Sequence, residues 1–155
     1  MYFLALLLSA WTALPPAQAQ RRPAAPPAAS APYTTPLSAA QMTNKQAVVQ
    51  TTAGAFVIDL RPDLAPNHVG YVMKLAGEGA YANTAFHRVV RHAIIQGGDP
   101  LSKDPAKASQ VGTGGLGVLR AEYSTEPFTR GAVGAALRPG QPDSGGAQFL
   151  SLIHI

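Results

Sequence analysis

The stretch that decides the reading of this 155-residue chain is Thr84-Ala85-Phe86-His87-Arg88-Val89-Val90 followed by Gln96-Gly97-Gly98-Asp99-Pro100. Two extended segments joined by a bend would set Arg88, a permanent cation, beside Gln96, a neutral amide that both donates and accepts. No acid/base pair, activated nucleophile or metal cage accompanies them. Such a pair suits a reaction in which no covalent bond is made or broken.

Working outward, Val48 to Thr52, a turn at Ala53-Gly54 and Phe56 to Leu60 read as a β-hairpin. Pro66 is placed to open a helix over Asn67 to Ala76, with Val69, Val72, Met73 and Ala76 on one face, and Gly77-Glu78-Gly79 stops it. Phe86 to Val90, Ala93 to Gln96, Ala132 to Ala136 and Gln148 to Ile153 are further strands, and Gly112 to Gly117 is a loop. The fold class is therefore mainly β, a barrel or sandwich with a helix covering one end.

The N-terminus reads differently. Tyr2 to Leu14 is apolar apart from Ser9 and Thr12, and Ala17-Gln18-Ala19 is a small-x-small site. Residues 1–19 are thus expected to be a cleavable signal peptide, which implies a periplasmic or secreted product. Half of the 14 prolines precede residue 37. Residues 20–44, rich in Pro, Ala, Ser and Gln, are expected to form a disordered tether, with the folded domain spanning 45–155. With no cysteine, no disulfide supports the core. The net charge of +4 is spread out, with no basic stripe or interleaved aromatics, so nucleic acid is not an expected partner. No membrane contact is expected after signal cleavage, and the expected state is a monomer.

Three other chemistries have partial matches in the sequence. Asp143-Ser144-Gly145-Gly146, preceded by His87 and Asp99, has the order of a serine-protease triad, but Pro142 and Ala147 flank it wrongly. The spacing of His87 and His92 fits neither one helix face nor one strand face, so no metal site is expected, and His87 reads as a satisfied structural histidine. Gly112 to Gly117 lacks the following helix and lysine of a phosphate cradle and reads as a flexible surface loop.

The quoted stretch resembles the cyclophilin family of peptidyl-prolyl cis-trans isomerases. Ala65-Pro66, Gly79-Ala80-Tyr81, Glu122-Tyr123, Arg130-Gly131 and Ser144-Gly145-Gly146-Ala147-Gln148-Phe149 agree with the family's further segments in order and spacing, over about Ala47 to Leu150. The resemblance implies a cyclophilin-like antiparallel β-barrel with a capping helix. The barrel is expected to be incomplete, because the family continues for a further third of a domain where this chain ends at Ser151 to Ile155. It implies catalysis by Arg88 and Gln96, and substrate contacts from Phe86, Ala93, Ile94, Ala136, Leu137, Gln148 and Leu150. It also implies proline-containing unfolded or loop polypeptides as substrates, and no cofactor. Ala93 and Leu150 stand where the family has aromatic rings, which implies weak proline binding and keeps a non-catalytic proline-peptide binding or chaperone module as the alternative. Asn67, His68 and Gly70 depart from the family's helix motif, and Arg91-His92 stands where the family has Pro-Gly.

Physical chemistry explains why such a reaction wants these residues. Rotation about an amide faces ~18–20 kcal/mol from its partial double-bond character. At mid-rotation the proline nitrogen regains a lone pair. A guanidinium aimed at it binds the twisted state better than either planar one, and that difference is catalysis. Going from tens of seconds to milliseconds needs roughly 6 kcal/mol, at ~1.4 kcal/mol per decade.

Overall fold

The computed structural model describes residues 31–152. The expected signal peptide, the tether up to residue 30 and Ile153 lie outside the described residues. The first sheet is a two-stranded antiparallel hairpin, β1 (Gln46–Thr51) with β2 (Gly54–Asp59). Its turn is Thr52-Ala53, one residue earlier than the spacing suggested. Gly54 opens β2 at a φ of 127°, and its carbonyl accepts the Thr51 hydroxyl at 2.7 Å. Side chains alternate as a half-buried hairpin requires: Val49, Phe56 and Ile58 face inward, while Val48 and Val57 face out.

The second sheet is four-stranded and antiparallel, in the order β3 (Arg88–Val90), β4 (Ile94–Gly97), β6 (Phe149–Leu152), β5 (Val133–Ala135). Three of the strands are slightly shorter than their expected runs and β4 is shifted by one residue at equal length, because the run sets burial whereas the ladder also needs paired backbone. The β3–β4 turn places His92 at a left-handed φ of 61°, at the position where the resembling family has glycine. A side chain there costs about 1–2 kcal/mol, so the turn is held by the strands it joins. The two sheets share no strand pairing among the described residues, which is the open, incomplete barrel expected.

Helix α2 (Pro66–Gly77) forms as expected, with Pro66 in its first turn. Val69 and Gly70 are its buried residues, Val72 and Met73 are half-buried, and Ala76 is exposed. The preceding Ala65 has no side chain with which to cap. The Glu122 carboxylate, 55 residues away, does so instead. It accepts the backbone N–H groups of Asn67 and His68, each at 3.0 Å, and the Asn67 amide at 2.8 Å, and sits 2.7 Å from His68 Nδ1. Burial alone would raise this carboxyl, but those hydrogen bonds outweigh it and hold the group below the ordinary carboxylate range.

The expected tether is corrected at its C-terminal end. Tyr33 donates its N–H to the Val118 carbonyl at 2.8 Å and packs its ring, tilted by 57°, against Tyr71 with centroids 4.9 Å apart. Thr35 donates its N–H to Asn67 Oδ1 at 2.9 Å and lies against Gly70, where any Cβ would collide with its side chain. A short helix, α1 (Ala39–Met42), buries Met42 to 2% exposure. Composition alone missed this packing, because its anchors are single residues spaced through a Pro/Ala-rich background. Two departures from the family motif, Asn67 and Gly70, are the seats for that segment.

Candidate active site

β3 and β4 pair with Arg88 directly opposite Gln96, and β6 adds Leu150 as the next residue in that row. Residues opposite one another across a sheet share a face, so Arg88, Gln96 and Leu150 stand side by side. Along the same face one step further are Val90, Ile94 and Leu152. Arg88 is exposed and donates through Nη1 to Gln96 Oε1 at 3.3 Å. The Gln96 amide then donates through Nε2 to Gln148 Oε1 at 2.9 Å.

The chain of hydrogen bonds continues inward. Gln148, 1% exposed, donates its own amide to the Gly114 carbonyl at 2.7 Å and to Asp99 Oδ2 at 3.2 Å. Asp99 is fully buried and accepts the N–H groups of Leu101 at 2.7 Å, Gly112 at 2.5 Å and Gly114 at 3.1 Å. A Cβ at position 114 would collide with the Asp99 carboxylate, so only glycine lets the loop close on it. The Gly112–Gly117 loop, expected to be flexible, is therefore pinned by a buried carboxylate. The guanidinium at the surface is the outer end of a relay whose inner end is fixed. Each amide in it has one direction in which both its ends are satisfied, so Arg88 is oriented without a carboxylate that would neutralise it.

Not every expected substrate residue lies at this surface. Phe86 packs its ring edge-on to Phe149 at 6.0 Å and tilted to Phe56 at 6.2 Å, over the face of β4 that carries Gly97. That is the face opposite Gln96, so Phe86 props the sheet from behind and does not line the site. Gln148 is buried and wholly engaged, which makes it a positioning residue and not a substrate contact. Ala136 is 3% exposed and donates its N–H to the Gln148 carbonyl at 3.0 Å, so it anchors the neighbouring Leu137. Leu137, Ile94 and Leu150 do lie at or beside the Arg88 face, and Ala93 sits half-buried in the β3–β4 turn. A groove of about 350 Å³ opens beside Gln96, between Gly112, Thr113 and Leu116 on one side and Leu137, Arg138, Pro139 and Gln141 on the other.

The serine-triad reading fails on geometry as well. Ser144 is 2% exposed, donates to the Gln141 carbonyl at 2.6 Å and accepts the Arg138 N–H at 2.7 Å, so it staples a turn. Among the described residues no cluster of His, Asp and Glu could hold a metal ion. The expectation that His87 is satisfied is corrected: both its ring nitrogens are buried without a hydrogen-bond partner. Asp99 anchors this relay, a role that sequence reasoning missed. It was visible as the end of Gln96-Gly97-Gly98-Asp99, but its partners, Gly112 and Gly114, lie in a loop whose folding back no local pattern announces.

With this geometry in place, comparison with known proteins identifies the class. Residues 47–153 match the family described as cyclophilin type peptidyl-prolyl cis-trans isomerase/CLD, and the chain belongs to that family. It is 45% identical over 107 residues to a probable peptidyl-prolyl cis-trans isomerase of Brucella suis, a match that covers 66% of this chain and 54% of that protein. The chain thus spans about half the length of the curated relatives it matches. Among solved structures it is similar to a cyclophilin type peptidyl-prolyl cis-trans isomerase of Cryptosporidium parvum, crystallised in the presence of the dipeptide Ala-Pro. That likeness has a TM-score of 0.60 and 25% identity, covering 71% of this chain and 68% of the other. A cyclophilin from Hirschia baltica shares the fold at a TM-score of 0.56 and 23% identity, over 70% of this chain and 57% of that one.

Proposed function

We propose that this protein catalyses cis-trans rotation about X–Pro bonds in exported polypeptides, with Arg88 stabilising the twisted imide. The observation that carries the reading is the relay Arg88–Gln96–Gln148–Asp99, which holds an exposed guanidinium in one direction from a buried anchor. Preorganisation of that kind lowers a barrier because the donor needs no reorientation when the nitrogen lone pair appears. The half-buried Ile94 and Leu150 beside it offer an apolar seat for the proline ring, and the related Cryptosporidium protein crystallised in the presence of the dipeptide Ala-Pro supports substrates of this class. Export is supported by the apolar run Tyr2 to Leu14 and the small-x-small site Ala17 to Ala19.

A second reading, a proline-peptide binder without catalysis, is favoured by Ala93 and Leu150, which present little ring surface to a proline. Isomerisation of a proline-containing tetrapeptide, followed by magnetisation exchange in NMR with the intact protein, separates the two. Arg88→Ala is expected to lower kcat/KM by about 10²- to 10³-fold, as loss of one transition-state donor does, while peptide binding falls much less. A turnover rate that Arg88→Ala leaves unchanged rejects the enzyme in favour of the binder.

A further inference from the structure

All eight carboxylates of the chain lie among the described residues, and each is engaged. Asp99 and Glu122 bind backbone N–H groups, and Asp143 accepts the Ala121 N–H at 2.9 Å. Asp59 accepts the Gln46 amide at 2.7 Å. Asp63 and Glu126 lie 2.7 and 3.5 Å from Arg61, Glu78 lies 2.7 Å from Lys74, and Asp104 lies 3.8 Å from Lys107. On the face that carries Gln96 the balance is the opposite. The groove of about 350 Å³ beside Gln96 contains one charged side chain, Arg138, and no carboxylate lines it.

Arg138 is exposed, and its guanidinium donates from Nη2 to the Leu116 carbonyl across the groove at 3.3 Å. No Asp or Glu among the described residues lies within 4.0 Å of it. A guanidinium has five donors in a fixed fork, so one long bond leaves most of them for a ligand. The groove is within the ~300–1,000 Å³ range of small-ligand clefts. Its walls supply a hydroxyl at Thr113, an amide at Gln141 and apolar surface at Leu137.

We infer that Arg138 makes this groove a subsite for an acidic side chain of the substrate, within about three residues of the X–Pro bond that Arg88 engages. The inference rests on the isomerase reading and deepens it. Gln96 belongs to both places, since it holds Arg88 on one side and borders the groove on the other. Because Gln96 touches both, an extended peptide with its imide at Arg88 would bring a flanking side chain beside the groove. A carboxylate carried there meets a positive fork for which no carboxylate among the described residues competes. A lysine at the same position meets like charge with no compensating acid. Discrimination between acidic and basic flanking residues therefore comes from attraction and repulsion together.

The test uses the intact protein and a peptide series in which Glu, Gln or Lys occupies, in turn, each of the three positions on either side of the X–Pro pair. Isomerisation is followed by NMR exchange and peptide binding by amide shift perturbation. At one position Glu is expected to exceed Lys in kcat/KM by about three- to ten-fold at low ionic strength, with Gln between. That ratio should shrink towards one at about 1 M salt. Arg138→Gln should abolish it and Arg138→Glu should reverse it. Equal handling of the three residues at every position overturns the proposal, as does a Glu preference that survives Arg138→Gln. If no peptide is isomerised the enzymatic reading fails, whereas a Glu-over-Lys preference in binding that Arg138→Gln removes still sustains the acidic subsite. Absence of that binding preference overturns it.

Discussion

The centre and the edge of the four-stranded sheet follow opposite rules. At the centre, Gln96 and Gln148 on β4 and just before β6 bond each other, Arg88 and the buried Asp99, and the loop that carries Gly112 and Gly114 is bonded down onto that carboxylate. At the edge, every residue of β3 is exposed, Val89 to 65%. The proposed catalytic cation belongs to the edge in its backbone and to the centre in its side-chain orientation. A group that must meet a polypeptide has to be on an open surface, and an open surface cannot fix a long side chain by packing. Hydrogen bonding to a buried anchor resolves that conflict.

The largest effect should come from cutting the anchor. Asp99→Ala leaves the N–H groups of Gly112 and Gly114 and the Gln148 amide short of an acceptor in a buried place. Each unsatisfied buried group costs about 1–3 kcal/mol, and local relaxation recovers part, so a loss of roughly 3–4 kcal/mol is expected in urea unfolding. Because the loop and Gln148 would be released together, Gln96 would lose its orientation too. Activity should therefore fall in whatever fraction remains folded. A stability loss below about 1 kcal/mol would show that the centre is not the rigid half.

How much of this was legible in the sequence follows the same division. The elements could be read because apolar alternation and proline and glycine punctuation are local signals: the hairpin around Gly54, the helix opened by Pro66 and the four strands all form within a few residues of their expected limits. The pairing of Arg88 with Gln96 was legible because both belong to one hairpin. What could not be read depends on contacts between distant segments. Asp99 reaches Gly114 and Gln148, Glu122 reaches Asn67, and Thr35 seats on Gly70, across separations of 15 to 55 residues. Gln148 was mistaken for a substrate contact because a motif names a residue type without saying which way its side chain turns. Phe86, implied as a substrate contact by the same kind of motif, turns to the opposite face of β4.

A second, smaller effect lies outside the sheet and separates anchored from unanchored carboxylates. Glu122 caps α2 from a distance, and Glu122→Gln keeps an acceptor while removing the charge that favours the helix N-terminus. About 1 kcal/mol of stability should be lost at neutral pH. The folded-state carboxyl is held below its ordinary value, so its contribution is fully present above the unfolded-state value near 4.5 and disappears as the pH falls through the lower folded-state value. The gap between the native protein and Glu122→Gln in urea unfolding should thus be present at neutral pH and close in acid, once the pH has fallen through the lowered folded-state value. A gap that widened in acid would mean that the capping bonds do not favour the ionised form.

The smallest effect should be found at the edge itself. Val89 pairs with Ile95 across β3 and β4, yet Val89 is 65% exposed whereas Ile95 is half-buried. Val89→Lys removes little buried apolar area and is expected to change stability by no more than about 0.5 kcal/mol. Its backbone pairing with β4 is unaffected, so the register that sets Arg88 opposite Gln96 should persist and the chemical shifts of the Gln96 side-chain amide should stay in place. An exposed apolar edge strand is a template for pairing between chains, and a lysine there opposes it. Sedimentation of the variant should therefore show no more association than the native protein does. A destabilisation as large as that of Asp99→Ala would mean that β3 contributes to the core after all, and that Arg88 is held by packing instead of by the relay behind it.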